Sequence, residues 1–221
     1  YYFYQGLRDV VARAAELDMG VFIISPNNQG GRLQAPTSKL SEACAPLAPM
    51  NFNHMWLLNQ PDVHTLSFGP ATPDEIDANL VAQDYDGTGE QREIFDHVLG
   101  QVEKAYRTRL GDDFCTVCNQ CLPCPENINI PGVLNWRQMH KAFDMTAYAQ
   151  GRYEKVGSGG AWILGVKGDR CTKCGDCAPR CPESLDIPQL LWQAHQELET
   201  GLVSGPAWDH EGDLLKRDLK S

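Results

Sequence analysis

Cys115-Thr-Val-Cys118-Asn-Gln-Cys121-Leu-Pro-Cys124-Pro-Glu-Asn-Ile-Asn-Ile-Pro131 returns further along the chain as Cys171-Thr-Lys-Cys174-Gly-Asp-Cys177-Ala-Pro-Arg-Cys181-Pro-Glu-Ser-Leu-Asp-Ile-Pro188. The copies agree through the cysteines, through Cys-Pro-Glu and into Ile-Pro. They differ in length by one residue before Cys181. Three cysteines at this spacing wrap a tight loop around one face of an iron–sulfur cubane, and a fourth followed by proline serves the other cluster of a pair. Spacing therefore assigns Cys115, Cys118 and Cys121 with Cys181 to one [4Fe–4S] cluster, and Cys171, Cys174 and Cys177 with Cys124 to a second. Because the first run is a residue short before Cys124, the uncrossed pairing of Cys124 and Cys181 stays open on sequence alone. Structural zinc takes two cysteine pairs separated by a longer spacer, which is not the form of either run. The duplication predicts two halves related by a pseudo-twofold axis.

Composition limits what surrounds these runs. The chain has 221 residues, room for one large domain or two small ones. Its formal charge is −10, and two clusters held by eight thiolates would add roughly −4 more. So acidic a surface repels phosphates and argues against nucleic acid as a partner. No run approaches the length of a membrane span. Eight of nine cysteines crowd into two short runs, which is metal chemistry in a reducing, cytoplasmic setting rather than a secreted disulfide framework. The chain opens Tyr1-Tyr2-Phe3-Tyr4, with neither Met nor signal peptide, as expected of a fragment.

Before the cysteines, helix and strand alternate. Leu7, Val10, Val11, Ala14 and Leu17 predict a helix capped near Gly20. Val21 to Ile24 reads as a strand buried on both faces, and Val63 to Phe68 as a second strand. A short helix is expected from Asn51 to Asn59. Thr72-Pro-Asp-Glu75 carries the capping-box signature of a helix start. Such alternation implies parallel α/β architecture. Residues 83–89 are polar and rich in Gly and Asp, and read as a linker. Helices are then expected over about 91–109, 132–150 and 189–200, so that 90–201 form a mostly α domain ahead of a charged tail, 202–221.

Two resemblances follow from these residues. With Val133, Leu134, Trp136, Met139, His140 and Phe143 predicting helix between the runs, the cysteine-bearing part resembles helical two-cluster ferredoxin domains inside larger oxidoreductases. Ile23-Ile24-Ser25-Pro26 with Gly30-Gly31-Arg32-Leu33, then Val63–Phe68 with Gly69-Pro-Ala-Thr72-Pro-Asp-Glu75-Ile-Asp-Ala-Asn79-Leu80, resemble the seventh and eighth strands and following loops of the aldo/keto reductase barrel. Residues 1–82 then resemble the C-terminal portion of a TIM (β/α)8 barrel, fused to the iron–sulfur domain. The resemblance implies a nicotinamide cofactor, NAD(P)H, at the barrel mouth, touching Ser25, Asn27, Gly30, Gly69, Thr72 and Asn79. A helix N-terminus at Thr72 would offer N–H groups to a phosphate. Gly69, Pro70, Asp74 and Glu75 stand where NADP-preferring members carry basic residues, and the two carboxylates oppose a 2′-phosphate. The family's catalytic Asp, Tyr, Lys and His lie on earlier strands, so no residue here is nominated as catalytic.

The function so read is an iron–sulfur oxidoreductase passing electrons through two clusters to or from a site at the barrel mouth. A redox partner protein or electron carrier would exchange them, and further barrel strands or a partner subunit would cover residues 1–82. The alternative is a non-catalytic electron-transfer or assembly subunit. Cys44 has no electropositive neighbour in sequence and reads as a buried small hydrophobe. The six histidines form no ligand pair and read as ordinary core or surface residues. Trp136, Trp162, Trp192 and Trp208 read as packing.

Overall fold

The computed structural model describes residues 1–27, 33–83, 85–157 and 163–201. Tyr1–Ala105 form one compact unit and the described residues from Tyr106 a second. Gly30, Trp162 and the tail 202–221 lie outside the described residues.

The first unit runs α1 (Arg8–Glu16), β1 (Phe22–Ile24), α2 (Ser38–Cys44), α3 (Pro49–Leu58), β2 (Thr65–Ser67), α4 (Pro73–Leu80) and the start of α5 (Gly89–Leu110). The strands pair in parallel, Phe22 against Thr65 and Ile24 against Ser67. Parallel neighbours need a crossover, and α2 and α3 lie on the one between them. Thr37 caps α2, its Oγ1 accepting from Leu40 N at 3.3 Å. The core is aromatic: Phe52 stacks on Phe95 at 5.7 Å and meets Tyr2 edge-on at 4.9 Å. Val98, Val102, Leu40 and Cys44 are buried with them. Burial pushes the Cys44 thiol up to about 12, so it stays a neutral apolar group.

The strand expected to be buried on both faces is not. Phe22 is 57 % and Ile24 60 % exposed. A two-stranded sheet has no neighbour to cover its outer residues, and parallel sheets are ordinarily covered on both faces. The apolar stripe of α1 is likewise bare at Leu7, Val10 and Leu17. Tyr85 to Gly89, in the stretch expected as a linker, fall in this unit. Tyr85 there is buried, accepting a hydrogen bond from Asn59 Nδ2 and packing on Phe95.

The second unit is helical, with α6 (Ile130–Phe143), α7 (Thr146–Glu154) and α8 (Ile187–Leu198) packed on one another. The single helix expected over 132–150 is two. Asp144 takes φ 55° and ends α6, with its N–H on His140 O at 3.1 Å and Met145 N–H on Met139 O at 3.2 Å. The apolar period continues through this break, which is why spacing alone conceals it. Val133, Met139, Phe143, Tyr153, Leu191 and Leu198 form the core. Arg137, buried on α6, pairs with Asp113 at 3.0 Å and Glu197 at 3.0 Å. It thereby ties the entry to the first cysteine run to the helix that follows the second. Among the described residues no helix is long and apolar enough to cross a membrane.

Candidate metal centre

The sequence repeat is also a repeat of backbone conformation. Val117 and Lys173, each two residues past the first cysteine of its run, take φ 54° and 57°. Asn119 and Gly175, two further on, take φ 62° and 88°. Left-handed residues at matched places curl each loop tightly enough to turn three side chains inward. Three residues past Cys124 and Cys181, Asn127 and Ser184 are again left-handed, at 54° and 52°. Two residues later come the caps of the helices. Asn129 Oδ1 accepts from Gly132 N at 3.1 Å, and Asp186 Oδ1 accepts from Gln189 N at 3.1 Å. Pro131 and Pro188 follow each cap in the first turn, where the absent N–H costs nothing.

Contacts beyond the repeat fix the loops in place. Cys115 N–H donates to the Gln138 side chain on α6. Gly168, just before the second run, sits against α8; a Cβ there would lie 2.7 Å from Leu191 O. Its N–H donates to Tyr153 Oη at 3.0 Å, and that hydroxyl also bonds His195 Nδ1 at 2.9 Å. Gly165 takes φ 94°, where a side chain would strike Asn127 O at 2.8 Å. This lets Val166 bridge to Ile128 in parallel.

Two cavities result. Cys115, Cys118, Cys121 and Cys181 line the first, with Val117, Leu134 and Ile187. Cys171, Cys174, Cys177 and Cys124 line the second, with Ile128, Ile130 and Leu191. The fourth cysteine of each run thus faces the other run's cavity. Both cavities open to solvent, with about 330 Å³ of non-atom space at the first and about 340 Å³ at the second, solvent included. In each, the second cysteine of the run is exposed (Cys118, Cys174) and the third is buried (Cys121, Cys177). Burial pushes the free Cys115 thiol up to about 11 and Cys121 up to about 12; neighbouring thiols, Cys177 among those around Cys121, add to it. Burial likewise raises Cys177, with Cys171, Cys174 and Cys124 contributing.

These donor sets fit iron–sulfur clusters. Four cysteines line each cavity, no histidine lines either, and a thiol whose pKa is raised by burial gives up its proton when a metal takes the sulfur. The eight cysteines divide four and four between the two cavities, a donor count that suits one cubane in each. A bound cluster would supply one-electron chemistry at potentials set by charge, hydrogen bonds to sulfur and exposure.

The residues expected at a nicotinamide site belong to the first unit and are not among those lining either cavity. Ser25 and Asn27 follow β1, and Gly69 and Thr72 follow β2, at strand ends that parallel pairing makes neighbours. Several polar groups there are engaged within the chain, while Asn79 Oδ1 is buried without a partner among the described residues. Asn27 Oδ1 meets His54 Nε2 at 2.8 Å. Thr72 Oγ1 accepts from Glu75 N at 3.4 Å, and Glu75 Oε2 takes the N–H of Ala71 at 2.6 Å, one residue before the position a capping box would use. Asn79 Nδ2 donates to Glu75 O at 2.6 Å. The Glu75 carboxylate is thus held on the N–H of Ala71, just ahead of this helix.

Fold and cavities together define a helical module with two four-cysteine cavities, the fourth cysteine of each run lining the other run's cavity. Residues 114–185 match the family described as 4Fe-4S dicluster domain, and the chain carries such a domain there. No aldo/keto reductase family match is found. No curated protein and no solved structure matches the chain. Sequence reasoning did not single out Arg180, Gln138 or Tyr153. Only Arg180 left a trace there, as the residue by which the second run is longer.

Proposed function

We propose that this chain is the electron-relaying part of an iron–sulfur oxidoreductase, holding two [4Fe–4S] clusters and passing single electrons between an external carrier and a two-electron site. The carrying observation is the pair of four-cysteine cavities with Cys124 and Cys181 exchanged between them. A relay needs cofactors that approach each other inside and reach solvent outside. Cys121 and Cys177, buried and within electrostatic reach of each other, supply the inner side. Exposed Cys118 and Cys174 supply two outer edges, where a redox protein or small carrier would dock.

In this reading residues 1–82 belong to a parallel α/β barrel of the aldo/keto reductase type, completed by further strands of a longer chain or by a partner subunit. Support comes from the parallel register of β1 and β2 and from the bare apolar residues Phe22, Ile24, Leu7, Val10 and Leu17, which a covered sheet would bury. A second reading, a non-catalytic electron-transfer or assembly subunit, is favoured by Glu75, whose carboxylate, held on Ala71 N–H, places negative charge beside the helix start a cofactor phosphate would approach. Titration of the complete protein with NADH, NADPH and flavin separates the two: binding favours the reductase, and none favours the subunit.

The iron–sulfur reading is tested by anaerobic reconstitution. About eight irons and about eight labile sulfides per chain, absorption at about 400 nm that bleaches on reduction, and a paramagnetic reduced state are expected. Zinc bound without labile sulfide would refute it.

A further inference from the structure

Arg180 is the residue by which the second cysteine run exceeds the first, and it spans both runs. Its Nη1 donates to Leu122 O at 2.7 Å and its Nη2 to Pro123 O at 3.0 Å, both in the first run. Its Nε donates to Asp176 O at 2.8 Å in the second. Three bonds to neutral carbonyls hold the guanidinium in place without cancelling its charge, and arginine keeps its proton at any working pH. The side chain lines the second cavity and not the first.

The cavities are otherwise matched in what sets a reduction potential. Each has one exposed, one buried and two half-buried cysteines, so exposure does not separate them. Charge does. Arg180 and Lys173 share the lining of the second cavity with Glu126 and Asp176, whereas Glu183 is the charged side chain lining the first. Glu126 is also engaged, its Oε1 accepting from Thr172 Oγ1 at 3.0 Å. A balanced lining favours an added electron over a lining with one uncompensated carboxylate. One feature opposes this: Val117 N–H points at Cys115 Sγ across 3.4 Å in the first cavity. That is a neutral donor on a soft acceptor, a weaker influence than an unbalanced charge.

Resting on the iron–sulfur reading above, we propose that Arg180 biases the pair, so that a cluster held by Cys124, Cys171, Cys174 and Cys177 has the higher reduction potential of the two. An electron entering through Cys118 would then run downhill toward Cys174, giving the module a direction that its duplicated sequence lacks.

The test is a redox titration of the reconstituted full chain followed by paramagnetic resonance, with iron and sulfide counted first. Wild type should show two separated midpoints. Arg180→Gln should lower the upper midpoint and leave the lower one nearly in place, narrowing the gap. Arg180→Lys should keep most of the gap, and Glu126→Gln should raise the upper midpoint. Both midpoints moving together, or neither moving in any variant, would overturn the proposal with the iron–sulfur reading intact. Should Arg180→Gln not retain both clusters, the other two variants decide by the same rule. A wild-type chain without iron and sulfide would overturn the underlying reading and this proposal with it.

Discussion

The exchange of Cys124 and Cys181 makes a prediction that two double variants decide. Cys124→Ala with Cys171→Ala removes two sulfurs from the second cavity and leaves the first with all four. Cys124→Ala with Cys115→Ala removes one sulfur from each cavity, so neither keeps a complete set. Both variants lose two thiols and share the Cys124 change, so general destabilisation falls on both alike. With about four irons per cluster, the first variant should retain about half the iron of wild type, half the visible absorbance, and one unaltered paramagnetic signal at full occupancy. The second should show no unaltered signal. Iron analysis, absorption and paramagnetic resonance on the anaerobically reconstituted chain provide the readout. Uncrossed ligation reverses the outcome, because Cys124 and Cys115 would then share one cluster. An intact half-signal in the Cys124/Cys115 variant, absent from the Cys124/Cys171 variant, refutes the crossed arrangement.

Other perturbations test the scaffold. Asn129→Ala and Asp186→Ala each remove a helix cap behind a cysteine run and should lower stability to urea by about 1 kcal/mol; unchanged midpoints would show the caps idle. Tyr153→Phe strips the buried partner from Gly168 N–H and from His195, so the unfolding free energy should fall by about 1–3 kcal/mol, and a neutral outcome in thermal melts contradicts that. His54, buried in the first unit, has its pKa lowered to about 4 from 6.5 by burial. Below 6.5 the unfolded imidazole takes a proton the folded one refuses, so stability falls from pH 6.5 down to about 4 and levels off beneath. The full loss is on the order of 3 kcal/mol. His54→Gln should lose measurably less over the same window, and parallel pH profiles for the two proteins would exclude the effect.

The cysteine runs were legible because a cluster imposes its spacing within a few residues of chain, and the duplication showed itself in the letters around them. The caps before α6 and α8 were partly legible in the same way, through Ile-Pro after Asn129 and Asp186. What escaped reading depends on contacts distant in sequence. Gln138 on the Cys115 amide, Tyr153 beneath Gly168 and Arg180 across both runs join residues that no local pattern relates. Asp144 broke a helix that periodicity carried straight through, because a left-handed cap needs one residue and leaves the apolar spacing undisturbed. Phe22 and Ile24 misled in the other direction. Their apolar run states what the strand would bury in a covered sheet, and the described residues supply no such cover.

Cys121 and Cys177, the buried cysteine of each cavity, are both screened from water, and Cys177 acts electrostatically on Cys121 across the divide. A partition of that kind insulates poorly against Coulomb forces, since it admits little solvent to relax around a new charge. Whatever negative charge one side acquires is therefore sensed by the other. Reduction of the module should be anticooperative, the second equivalent entering against the field of the first, so that singly loaded molecules dominate over a broad span of applied potential.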